Sequence, residues 1–319
     1  MCHNVRFRNK KIKIVVTILG IVFLQSTFLF GQQESLRGMY PFMPMGINPG
    51  RAGVSGVASI VGIYRKKPLI APPGLSTISQ QYLSFDMPLH KGDWGLGFMG
   101  FNSSQSFADG SGAISSNLGI VGIVSKHFVL GEEKTLSLGG SVGLNQVPLV
   151  SSTGNAILKG SYGLGVFYNC NRIELGVSAP SVYFEGSGVI PIFGHAQYLM
   201  DLENGDKVRM GAVARRVGQI STKVDLYGVY WFQELVGLGI WYMDTGAELG
   251  NTALLGTLQI ALGRKAIVNY GYDFLGKSLV INSFGNSSGS NSSVGGGFHQ
   301  IGLRLDLDMK NGKYSKFRP

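Results

Sequence analysis

The stretch Phe298-His-Gln-Ile-Gly-Leu-Arg-Leu-Asp-Leu-Asp-Met309 alternates strictly, with Ile301, Leu303, Leu305 and Leu307 interleaved among Gly302, Arg304, Asp306 and Asp308. Successive side chains of a strand point to opposite faces, so four aliphatics line one face and three charges the other. Such a strand needs an apolar medium on one side and water on the other. A half-buried soluble sheet or the wall of a membrane barrel supplies that, and the rest of the chain decides between them.

The chain has 319 residues, 48 of them glycine and only 14% charged, and its mean hydropathy is +0.16. Glycine is thus at about twice its usual share of roughly 7%, without a triplet period. A membrane helix needs about 20 consecutive apolar residues, and none occurs beyond residue 31. Apolar content without apolar runs is what alternating lipid-facing strands produce.

Residues 1–31 read as a secretory signal peptide. Arg6, Arg8, Lys10, Lys11 and Lys13 form a basic leader without an acid, and Ile14–Phe30 is an apolar stretch broken by Thr17, Gln25, Ser26 and Thr27. Five of the ten net positive charges sit in this leader. Four more, Lys310, Lys313, Lys316 and Arg318, sit in the tail 310–319. The body is nearly neutral, so the pI near 9.5 marks two basic ends and no nucleic-acid footprint. Cys170 is the one cysteine left after the leader, in the turn Asn169-Cys-Asn171, which excludes a disulfide framework and a Cys-based metal site.

Residues 32–55 carry Pro41, Pro44 and Pro49, which forbid a regular helix or central strand, beside Phe42, Met43, Met45 and Ile47, which need cover. The segment is expected to be an ordered plug or lid at the periplasmic end. From 56 to 309 the patterning predicts an all-β transmembrane antiparallel barrel of about fourteen strands. The clearest are 134–147, 172–179, 206–216 and 297–309. Six connections are short, among them Lys91-Gly-Asp93, Gly131-Glu-Glu133, Asn204-Gly205 and Gly263-Arg264. The others are read as longer: Lys66–Ser76, Ser104–Ser111, Pro148–Ile157, Pro180–Pro191 and, longest, Asp273–Gly296. That sorting is the asymmetry of an outer-membrane barrel, with both strand termini on the short-turn, periplasmic side. Trp94, Trp231, Trp241, Tyr230, Tyr242, Tyr270 and Tyr272 fall near strand ends and are read as interfacial girdles. Gly95, Gly97, Gly163, Gly165, Gly237 and Gly239 let the wall curve and interior side chains fit.

The patterns of catalysis are missing. His90, His127, His195 and His299 have no metal-ligand spacing, the Gly-x-Gly pairs lack a following Lys-Ser/Thr, and no Gly-x-Ser-x-Gly occurs. The nearest approach to an acid–base pair is His195 with Asp201 and Glu203. Glu174, Arg209, Arg215, Asp225, Arg304 and Asp306 are expected to form interior polar ladders. The reading is a chain without catalytic residues, cofactor or metal.

Four blocks resemble the PorP/SprF family of the type IX secretion and gliding machinery of Bacteroidetes. Ile47-Asn-Pro-Gly-Arg-Ala-Gly53 is similar to that family's Asn-Pro-Ala-Tyr-Ala-Gly, with Asn48, Pro49 and Gly53 kept and Gly50-Arg51 in place of Ala-Tyr. Arg65, Pro73-Gly74 and Asp86-Met-Pro88-Leu89 match its next block, and Trp94-Gly-Leu-Gly97 its third. Tyr272-Asp273 and His299-Gln300 match the closing pattern, with Gln300 where the family has Glu. The resemblance implies an outer-membrane protein that holds or receives secreted adhesins bearing a C-terminal sorting domain. It also implies contacts with periplasmic parts of the secretion apparatus. A general or substrate-specific porin is the alternative; it would need an open polar lumen, whereas this interior reads as Gly-rich with few charges.

Overall fold

The computed structural model describes residues 40–71, 74–106, 114–148, 156–183, 190–217, 222–243, 253–263, 265–274 and 297–307. The leader, residues 32–39, Pro73 and the basic tail lie outside them. Fourteen strands run Ala58–Ala71 (β1), Gly74–Leu89 (β2), Trp94–Ser106 (β3), Ile114–Gly131 (β4), Lys134–Pro148 (β5), Ala156–Cys170 (β6) and Ile173–Tyr183 (β7). They continue Pro191–Asp201 (β8), Lys207–Val217 (β9), Lys223–Phe232 (β10), Val236–Met243 (β11), Ala253–Leu262 (β12), Ala266–Asp273 (β13) and His299–Leu307 (β14). Each pairs antiparallel with its neighbours in sequence, and β1 closes on β14 from Ala58↔Leu307 to Lys66↔His299.

The alternation of β14 fixes which medium lies outside. Ile301, Leu303, Leu305 and Leu307 face outward, 37–54% exposed, while Gln300, Gly302 and Asp306 are buried inside. The same inversion holds around the wall. Leu136 aside, the outward row of β5 (Leu138, Val142, Leu144) is exposed, whereas Ser137, Ser141 and Asn145 are buried. A soluble sheet would turn these aliphatics inward; a hydrocarbon solvent reverses the preference. The expected interior charges do face the lumen: Glu174, Arg209, Arg215, Asp225 and Asp306 are buried there.

The short turns are two to five residues long and gather at one rim with Ala58 and Leu307. Hydrogen bonds tie these turns to the neighbouring turn or strand: Asn171 N to Glu133 O, Leu199 N to Arg172 O, Gln233 N to Asp206 Oδ1, Ala261 N to Leu235 O and Asp306 N to Lys265 O, at 2.7–3.0 Å. At the opposite rim one expectation is corrected. Lys66–Ser76 is no long loop, because β1 and β2 stay paired as far as Ala71↔Gly74, with two residues between them. Pairing is made by backbone groups, so it persists where the side-chain alternation that betrays a strand lapses. β1–β6 are 13–18 residues long and β7–β14 only 8–11, so one side of the wall stands higher.

Two of the girdle assignments are also corrected. Trp94 faces outward, but Trp231 and Trp241 are buried inside, on the same parity as the inward Tyr227 and Val229 in β10 and Met243 in β11. Proximity to a strand end does not fix side-chain direction; parity does.

The outward row of β14 makes a direct test. Leu303→Arg should cost about 2–4 kcal/mol in reversible unfolding from lipid vesicles, the range for a cation carried to the mid-depth of a lipid-facing wall. A cost near zero would contradict the outward assignment.

Candidate functional site in the barrel lumen

The interior contains the chain's own segment Tyr40–Val57. Pro44–Gly46 and Pro49–Arg51 are single 3-10 turns, the form left to a sequence in which proline removes donors and fixes φ. Asn48 caps the second turn: its side chain accepts from Gly50 N at 2.9 Å and donates from Nδ2 to Val166 O on β6 at 3.0 Å. Phe42, Met43, Met45 and Ala52 pack with Val61, Ile63, Tyr82, Met99, Ile123, Val229, Trp231 and Ile267 of the wall. Tyr40 and Ile47 join a second cluster with Phe193, Tyr227, Trp241 and Leu255. Burying a side chain of such size is worth about 1.5–3 kcal/mol.

Polar contacts add register to this packing. The Arg51 guanidinium is ion-paired with Glu174 on β7 and lies over the Phe167 ring, 4.7 Å from its centroid. Glu174 also accepts from Gln197 Nε2 at 3.1 Å, and Gln197 Oε1 accepts from the Tyr227 hydroxyl at 2.6 Å. Burial alone would lower the Arg51 pKa; the adjacent Glu174 carboxylate outweighs it and holds the value above the ordinary one. Ser125 Oγ donates to Ala52 O at 2.7 Å, and His127 Nε2 lies 2.9 Å from the same oxygen. Ser178 Oγ donates to Ile47 O. Gly53 N donates to Asp86 Oδ2 at 3.1 Å.

Wall glycines set how close the segment comes. A Cβ on Gly139 would lie 2.2 Å from Pro49 C, one on Gly165 2.1 Å from Asn48 Oδ1, and one on Gly95 2.0 Å from Ala52 O. These are overlaps, so a side chain at any of the three would push the segment off the wall. Gly53 combines a φ of +70° with a Cβ position 2.7 Å from Gly95 Cα, and only glycine satisfies both.

The residues singled out in the sequence therefore fall into three places. Asn48 and Pro49 lie inside the barrel against β5 and β6, and Gly53 lies inside against Asp86 of β2, with Pro88 Cα beside it. Arg65, Asp273 and Gln300 meet at the opposite end of the lumen. Arg65 and Gln300 are cross-strand partners, the Arg65 guanidinium is 3.9 Å from the Phe298 ring centroid, and Asp273 N donates to Phe298 O at 3.2 Å. Tyr272 and His299 point outward instead; His299 Nδ1 lies 2.9 Å from the Tyr270 hydroxyl. Gly74 opens β2, and Pro73 lies outside the described residues. His195 and Asp201 do not converge. His195 is buried between Phe167 and Tyr40, while Asp201 sits at the periplasmic rim paired with Arg172 at 3.2 Å. Six residues of strand hold the two about 20 Å apart. Sequence reading missed the Arg51–Glu174 pair and the Ser125–His127 grip on Ala52; no local pattern links residues on different strands.

A closed antiparallel barrel with aliphatics outside and polar groups inside is an integral outer-membrane protein. Its sequence matches the family of type IX secretion system membrane proteins PorP/SprF over residues 29–301, and the chain belongs to that family. No match was found among curated proteins. Among solved structures the chain is similar to the Acinetobacter baumannii outer membrane protein Omp33, at 10% identity and a TM-score of 0.45, over 79% of this chain and 98% of that one. It is also similar to a mutant porin of Rhodopseudomonas blastica, at 11% identity and a TM-score of 0.36, over 78% and 99%.

Glu174→Gln leaves the Arg51 charge buried without its counter-ion and should cost about 3–5 kcal/mol in urea unfolding followed by tryptophan fluorescence. Arg51→Met combined with Glu174→Leu should recover most of that loss. A double variant as unstable as the sum of the two single ones would contradict a paired lock.

Proposed function

We propose that the protein is a non-enzymatic outer-membrane anchor of the type IX secretion apparatus that holds or helps deliver an adhesin-type cargo at the cell surface, with residues 32–55 as a resident plug. What supports this is the occupied lumen together with membership of the family. Tyr40–Val57 packs on the inner wall, where a porin would have water, and this weighs against the alternative of a general or substrate-specific porin. Cargo with a C-terminal sorting domain would then engage the rim. The connection from β13 to β14 is the longest, and its feet are fixed by Arg65 against Phe298 and by Asp273 N on Phe298 O. Hydrogen bonds tie the periplasmic turns to neighbouring turns and strands, and other secretion components would dock on that rim.

The reading predicts that the tagged protein, solubilised in mild detergent from secreting cells, brings down a surface protein bearing a C-terminal sorting domain. Arg65→Ala should weaken that capture while the heat-resistant barrel remains. Recovery without any such cargo would count against the delivery role.

A further inference from the structure

The geometry points to the lumen as a peptide-binding site occupied in cis, whose ligand class is an apolar peptide carrying an Asn-Pro turn followed by arginine. The inference rests on the plug reading above and adds to it what the plug is chemically: a tethered ligand, not a piece of the wall.

Three observations carry it. The first is that the barrel closes without the segment. β1 pairs with β14 through nine residue pairs beginning at Ala58, and each strand is bonded to both neighbours. Tyr40–Val57 adds no strand to that ladder, so its departure breaks no sheet hydrogen bond. The second is that the wall reads this peptide group by group between residues 47 and 53. Ser178 takes the Ile47 carbonyl, Val166 O takes the Asn48 amide and Glu174 takes the Arg51 guanidinium. Ser125 and His127 face the Ala52 carbonyl, and Asp86 takes the Gly53 amide. These partners come from β2, β4, β6 and β7, so the recognition is spread over the inner surface. The third is the fit. Gly95, Gly139 and Gly165 lie where a Cβ would overlap the peptide's backbone or the Asn48 side chain. Wall curvature alone does not call for glycine at the points of contact with Ala52, Pro49 and Asn48.

The tether has a joint as well. Gly53 and Gly56, with φ of +70° and +74°, lie just ahead of β1, where the segment turns into the wall. Without the ligand, Glu174 would be a buried carboxylate left with the Gln197 amide. The empty site therefore selects a cation at the Arg51 position. A peptide from another chain with the same turn and arginine would compete for the same seat.

The test uses the full chain with a protease recognition sequence inserted between Gly56 and Val57, purified in detergent, cut, and mixed with a fluorescent peptide of residues 40–56. The cut protein should keep its folded, heat-modifiable gel mobility. It should exchange its resident segment for the labelled peptide with saturation. Unlabelled peptides with Asn48→Ala or Arg51→Ala should compete at least about tenfold more weakly, since each lacks a buried polar contact. Collapse of the barrel on release, no exchange under a large excess of peptide, or equal competition by a scrambled peptide would each overturn the inference. Peptide exchange without capture of cargo would leave it standing and sink the delivery role; cargo capture without exchange would do the reverse.

Discussion

A backbone amide facing hydrocarbon has no water to bond, and each unpaired group there costs several kcal/mol. That constraint governs the whole molecule. It requires the fourteen strands to close through β1 and β14, since any open edge would leave a row of such groups in lipid. The same lack of water acts on side chains and fixes the polarity of the wall: Ile301, Leu303 and Leu305 face the lipid, and Gln300, Arg304 and Asp306 turn to the inside. Closure creates an interior, and the interior must be filled or wet.

In this protein the segment Tyr40–Val57 packs against the inner wall. The contents resemble a soluble core, with Phe42, Met43 and Met45 among Val61, Tyr82, Met99 and Trp231, yet they are pinned by polar contacts at Asn48, Arg51 and Ala52. Packing supplies most of the stabilisation, and the ion pair supplies register. A buried pair adds little net energy over an apolar replacement, but losing one partner is expensive. Arg51 and Glu174 thus exclude mispositioned segments more than they strengthen the correct one. Arg51 is the residue of the segment that carries the pair.

Much of the fold was legible in the sequence. Strand candidates are marked for all fourteen, with clean period-two alternation in several, such as 134–147 and 172–179, and the sorting of short turns from longer connections marks the membrane and its periplasmic side. The errors have physical causes. Lys66 to Ser76 reads as a loop in the sequence because its residues do not alternate, whereas backbone pairing runs on to Ala71↔Gly74. Trp231 and Trp241 were placed at the lipid interface from their position along the strand, although parity turns them inward. His195 and Asp201, no more than the nearest approach to an acid–base pair in the sequence, are held apart by a straight strand. Of the lumen, the sequence shows that 32–55 needs cover and singles out Asn48, Pro49, Gly53 and Asp86 through the family resemblance, without the contacts they make. Those contacts join residues far apart in the chain; Asn48 and Val166 are separated by 118 positions and Arg51 and Glu174 by 123. No periodicity in one strand reports what lies across a lumen. The glycines show the same limit: their number suggested curvature, and only the seated peptide showed why Gly95, Gly139 and Gly165 lack side chains.

The central claim is that the lumen is occupied, and conductance reads occupancy most directly. The purified, intact protein reconstituted in a planar bilayer should insert without large, stable conductance steps, because Tyr40–Val57 fills the path. Sustained porin-like steps from the intact chain would contradict the account.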